Sequence, residues 1–95
     1  MPDMLTQLEA IINDRKAHPR AGSYTNSLFD KGRNQIAQKV GEEAVEVIVA
    51  ALGQDREAQI GELSDLFYHS LVLMAELGIT LEDVGAELER RHRPH

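Results

Sequence analysis

Ala44-Val45-Glu46-Val47-Ile48-Val49-Ala50-Ala51-Leu52 decides how the rest of the chain is read. Placed on a helix, this stretch is apolar nearly all round, and such a helix needs cover on several sides. It belongs to a longer helical run from about Arg33 to Leu52, with Gly53 as its C′ residue. Asp55 then reads as the N-cap of a further helix, roughly Arg56 to Leu77, that stops at Gly78. Toward the N-terminus, Leu5, Leu8, Ile11 and Ile12 recur at helical spacing and predict a helix from about Asp3 to Ala17. His18-Pro19 ends it, because a residue before proline resists the α region. Arg20 to Lys31 contains Gly22, Ser23 and Asn26, is followed by Gly32, and reads as a loop suited to substrate contacts. Thr80, with Asp83 three residues on, makes a capping-box-like start for a last helix through about Arg91. The tail His92 to His95 is expected to fray.

No period-two strand pattern, internal repeat or low-complexity segment interrupts this reading. The expected fold is therefore all-α: a small bundle of about four helices forming one domain over residues 1–95. Four short helices cover the Ala44 to Leu52 stretch poorly, and small domains bury a smaller share of their surface than large ones. A homodimer or higher homo-oligomer that completes the core is the consequence.

Composition narrows the chemistry. With no cysteine, thiolate metal sites, disulfides and cysteine nucleophiles are excluded. Tyr24, Phe29, Phe67 and Tyr68 are the only aromatic residues, so aliphatic side chains must supply most of the core. No apolar run approaches the roughly 18 residues needed to cross a bilayer, and Met1-Pro2-Asp3-Met4 lacks a secretory pattern. Cytoplasmic residence without a membrane partner is expected. A net charge of −6 argues against nucleic acid as the main partner. The charge is also unevenly spread. From Arg15 to Lys39 stand six basic residues against Asp30, and from Glu42 to Asp65 seven acids against Arg56. Such a division suits a phosphate-rich ligand bridged to the protein by a divalent cation, although solvated charge on helix faces would look similar.

The chemistry concentrates in Lys39-x-x-Glu42-Glu43-x-x-Glu46 and Glu62-x-x-Asp65. At about 100° per residue, Lys39, Glu42, Glu43 and Glu46 share one helix face, and Glu62 and Asp65 lie about 60° apart with His69 between them in angle. Like charges at these spacings repel, and burying ionised groups without partners is costly. A resident cation relieves both penalties. Oxygen ligands without thiolate suit Mg²⁺, with Mn²⁺ as an alternative, rather than zinc or copper. The competing reading, exposed acids paired with bases, has only Lys39 and Arg56 nearby to support it. A di-iron bundle would need Glu-x-x-His pairs, and the nearest match is Asp65-x-x-x-His69. His69 either orients a ligand or water or is simply structural. No P-loop, dinucleotide fingerprint or EF-hand loop occurs.

Glu42-Glu43-x-x-Glu46, followed after fifteen residues by Glu62-x-x-Asp65, resembles the signature of the all-α, MazG-like nucleotide pyrophosphohydrolases. Ser23-Tyr24-Thr25, Lys31-Gly32, Ile36 to Glu43 and Asp65 to His69 narrow the resemblance to the phosphoribosyl-ATP pyrophosphatase family. It implies Mg²⁺-dependent hydrolysis of phosphoribosyl-ATP to phosphoribosyl-AMP and pyrophosphate, the second step of histidine biosynthesis. It also implies Glu43, Glu46, Glu62 and Asp65 as metal ligands and Glu42 as an additional acid, a candidate general base. Lys39, Lys31 and Arg33 are candidates to stabilise phosphate charge, Ser23, Tyr24 and Thr25 to bind substrate, and His69 to support the site. Two other readings stay open: a housecleaning nucleoside triphosphate pyrophosphatase with the same metal site, and a helical interaction module that binds no metal.

Overall fold

The computed structural model describes residues 3–94; the readings of the Met1-Pro2 start and of the His95 end fall outside the described residues. Five helices follow one another: α1 (Met4–Ala17), α2 (Tyr24–Lys31), α3 (Arg33–Gly53), α4 (Arg56–Leu77) and α5 (Leu81–His92). There is no strand among the described residues.

Local chemistry sets the boundaries. Asp3, Ser23 and Asp55 each accept a backbone N–H three residues on, capping α1, α2 and α4. Thr80 and Asp83 form the full reciprocal box at the start of α5. Gly78, at φ 73°, closes α4 in the left-handed conformation expected of a C-cap glycine. Gly53 differs from its expected role: it is the last residue of α3, and Gln54 is the C-cap. His92 still belongs to α5, with Arg93 as its C-cap.

The expected loop over 20–31 is the main correction, and it raises the helix number from about four to five. Ser23 caps a helical turn, and Thr25, Asn26 and Leu28 bury one face of the resulting helix. Gly32, at φ 92°, is the sole residue between α2 and α3 and provides the sharp turn.

α3 and α4 form the most extensive packed pair, joined by the two-residue connection 54–55 that folds α4 back along α3. α1 lies mainly on α4, and α2 bridges α1, α3 and α4. The core is Ile12, Leu28, Ile36, Leu71 and Val72, with Leu8, Phe29 and Tyr68 against it. Ile12, Ile36 and Val72 are fully buried, each contributing about 1.5–3 kcal/mol of apolar burial. This core occupies the end of the hairpin nearest α1 and α2. At the other end of α3 only Ala50 is buried, while Val45, Ile48, Val49 and Leu52 are exposed.

Candidate functional site

The α3–α4 hairpin brings together Glu43, Glu62 and Asp65, each offering one carboxylate oxygen within 4.8 Å of the others. Glu43 is 5% exposed, Glu62 is half-buried and Asp65 is open to solvent. Oε2 of Glu43 and Oε2 of Glu62 are buried without a hydrogen-bond partner. An unpaired buried polar atom costs about 1–3 kcal/mol, and a charged one more. Two such atoms beside a third carboxylate form a group that could hold a cation, and an all-oxygen donor set fits a hard divalent ion. Glu46 is exposed and stands outside this trio.

Lys39 supplies the positive charge beside Glu43. Its Nζ lies 3.2 Å from Glu43 Oε1 and 3.9 Å from Glu42 Oε1. The hydrogen bond to Glu43 is the main reason that the Lys39 pKa is raised, with Tyr24 and Glu42 adding smaller contributions. Glu42 is exposed, and its Oε2 accepts a hydrogen bond from Gln38 Nε2 at 3.1 Å.

A second cluster ties α2 to α4 beside these acids. His69 Nδ1 lies 2.7 Å from the Asp65 carbonyl oxygen, which only accepts, so that nitrogen carries the proton. In the neutral ring Nε2 then accepts from the Tyr24 hydroxyl at 3.0 Å. Tyr24 stacks on Tyr68 with ring centroids 6.1 Å apart, and both rings meet His69 edge-on. The Tyr68 hydroxyl bonds the buried Thr25 hydroxyl, and burial pushes the Tyr68 pKa up, against the lowering effect of that bond. Thr25 is thus committed to packing and Ser23 to capping. Tyr24, half-exposed, borders a hollow of about 430 Å³ whose lining includes Arg20, Gly22 and Ser23.

The remaining basic residues of the sequence reading are dispersed. Lys31 is exposed at the end of α2. Arg33 pairs with Glu76 at 3.8 Å, and ten residues separate it from Glu43, about 15 Å along a helix. Residues that the sequence reading passed over do the positioning. Asn26 donates to the Arg15 carbonyl at 2.7 Å and accepts from the Arg20 N–H at 2.8 Å, fastening α2 to the end of α1. Tyr68 backs Tyr24. The only sequence signal for either was an uncommon aromatic and an asparagine three residues after a capping serine.

The phosphoribosyl-ATP pyrophosphohydrolase family model matches residues 5–92. The chain is 53% identical to the phosphoribosyl-ATP pyrophosphatase of Sphingopyxis alaskensis over 97% of its length and 85% of that protein's. It is 52% identical to the phosphoribosyl-ATP pyrophosphatase of Metallosphaera sedula, over 96% of this chain and 98% of that one. The similar histidine biosynthesis bifunctional protein HisIE of Oceanobacillus iheyensis is 51% identical over 94% of the chain, which spans only 41% of that longer protein.

Proposed function

The chain belongs to the phosphoribosyl-ATP pyrophosphohydrolase family, and from that premise we propose that it hydrolyses phosphoribosyl-ATP to phosphoribosyl-AMP and pyrophosphate with Mg²⁺ held by its carboxylate cluster. Water attacks at the α–β phosphoanhydride, and the pathway is histidine biosynthesis. The observation that carries the metal reading is the pair of partnerless buried oxygens on Glu43 and Glu62, with Asp65 beside them. Glu43, Glu62 and Asp65 hold the cation, and Glu46 joins them as the remaining acid of the motif. Bound Mg²⁺, or Mn²⁺ in its place, neutralises triphosphate charge and lowers the pKa of the attacking water.

The protein's own groups supply the rest. Glu42 accepts the proton of that water, a role supported by its exposure and by its Gln38 and Lys39 neighbours. Lys39 has donors beyond the one it gives Glu43, and with Lys31 it offers charge to phosphate oxygens. Arg33 serves phosphate only after leaving Glu76. Tyr24, held by His69 and Tyr68, presents a rigid aromatic edge at the α2 hollow, where the ribosyl-phosphate end of the substrate binds beside Ser23, while Thr25, buried against Tyr68, supports that surface from behind. No described helix is long and apolar enough to cross a membrane. The enzyme works in the cytoplasm as a homodimer or larger homo-oligomer.

The test is pyrophosphate release from phosphoribosyl-ATP, dUTP and dCTP, with Mg²⁺ and with EDTA. Selective, EDTA-sensitive turnover of phosphoribosyl-ATP is expected. Preference for the deoxynucleotides would make the chain a housecleaning pyrophosphatase, and turnover undiminished by EDTA would remove the metal reading.

A further inference from the structure

Lys39 and Glu43 are a lysine followed four residues later by a glutamate, the weaker of the two orientations for supporting a helix. Helix stability therefore gives little reason for the pair. The division of Glu43's two oxygens gives a better one. Oε1 is taken by the Lys39 ammonium, while Oε2, buried, has no partner. We propose that Lys39 is a positioning residue, engaging one oxygen of Glu43 so that the other is presented, with Glu62 and Asp65, to a divalent cation. This rests on the metal reading given above.

The physical case turns on two opposed effects. By Coulomb's law, an ammonium next to a cation site repels the cation, so removing Lys39 should tighten binding. By preorganisation, a glutamate with three rotatable bonds needs something to hold it, and removing the holder should weaken binding. Lys39 reaches Glu43 through Oε1, the oxygen opposite the orphan, and therefore acts on the carboxylate without occupying the orphan's side. Glu43 is 5% exposed, and no other side chain of the described residues bonds it, so no second donor takes over the holding role. Gln38 bonds Glu42 instead. Preorganisation is accordingly the larger effect, and its sign is opposite to that of simple electrostatics.

Mn²⁺ affinity, followed by electron paramagnetic resonance on the full chain without substrate, separates the two. Lys39→Met should weaken Mn²⁺ binding about 10- to 100-fold, the usual loss when a partner of a metal-ligating carboxylate is removed. Lys39→Arg, which keeps both charge and donors, should bind close to wild type. Lys39→Leu, apolar and a strong helix former, serves as a second uncharged variant, with circular dichroism to confirm that each is folded. A lysine of purely structural importance would lower the melting temperature of the metal-free protein and leave Mn²⁺ affinity unmoved. Unchanged or tighter binding in the uncharged variants overturns the proposal while leaving the metal site standing. Absence of Mn²⁺ binding in the wild type removes the site itself, and the proposal with it.

Discussion

At the scale of single residues, the protein keeps acidic oxygens where an apolar or neutral group would be cheaper. Helical spacing made the shared face of Glu42, Glu43 and Glu46 legible, and the i,i+3 spacing did the same for Glu62 and Asp65. It could not show which acids the partner helix buries, and so it left Glu43 and the exposed Glu46 equivalent. Glu62→Gln and Glu46→Gln distinguish them. Neutralising Glu62 relieves repulsion around an unpaired oxygen, so the metal-free melting temperature should hold or rise. Glu46→Gln, on the surface, should change metal-free stability by no more than about 0.5 kcal/mol. Magnesium at 100 times its dissociation constant stabilises the wild type by about 2.7 kcal/mol if it binds only the folded state, a shift on the order of ten degrees for a domain of this size. Both variants should lose much of that shift and most activity. An undiminished shift in either would strike that residue from the ligand set. A pH prediction belongs to the same scale. Lys39, raised above 10.5 by Glu43, stabilises the fold fully below that value and stops doing so as the pH climbs through its folded pKa. Tyr68, raised above 10.0 by burial, loses its proton more readily in the unfolded chain, with the same sign. Urea melts at pH 8, 10 and 11 should therefore show stability falling above about pH 10, and the fall should be shallower in Tyr68→Phe.

At the scale of elements, three long helices and the capping box of α5 were legible because apolar periodicity and capping residues agree there. α2 was not. Its polar, glycine-flanked sequence has the composition of a loop, and eight residues are too few for a stable helix in isolation. It forms because tertiary bonds hold it: Asn26 to α1, Thr25 to Tyr68, and Tyr24 to His69. Those pairings join residues 11 to 45 apart in sequence, beyond the reach of local pattern. Asn26→Ala should expose how far the site depends on them. It leaves the Arg15 carbonyl and the Arg20 N–H without their partner, a cost of about 1–3 kcal/mol. Because α2 carries Tyr24, turnover of phosphoribosyl-ATP should fall as well, while the magnesium-induced melting shift, which belongs to α3 and α4, should persist. Loss of the magnesium shift together with turnover would mean that α2 shapes the metal cluster directly.

At the scale of the molecule, the same hairpin that gathers the acids leaves its far half uncovered. Val45, Ile48, Val49 and Leu52 recur at helical spacing on α3, and Ile60, Leu63 and Phe67 do so on α4; all seven are exposed, Leu52 at 85%. The all-round apolar character of the Ala44 to Leu52 stretch announced this need for cover, and the single chain leaves it unmet. Glu46 lies within that stretch, one residue from Val45 and three from Val49, so whatever covers the stretch also bears on the acidic motif. Apolar surface of this extent is what an interface exposes when its partner is removed, and the proposed homo-oligomer would cover it with the matching apolar face of a second copy. If association completes the core, stability depends on protomer concentration. The wild-type melting temperature should therefore drop with dilution across the micromolar range, and sedimentation should show a dimer or larger species. Ile48→Glu places a charge in the apolar stripe, where burial against a partner would leave it unpaired. It should shift the protein to monomer and lower its melting temperature, making what remains independent of concentration. Leu77→Glu, an exposed substitution at the other end of α4, should leave association unchanged. A folded wild-type monomer at micromolar concentration, melting at the same temperature after tenfold dilution, would exclude the shared core.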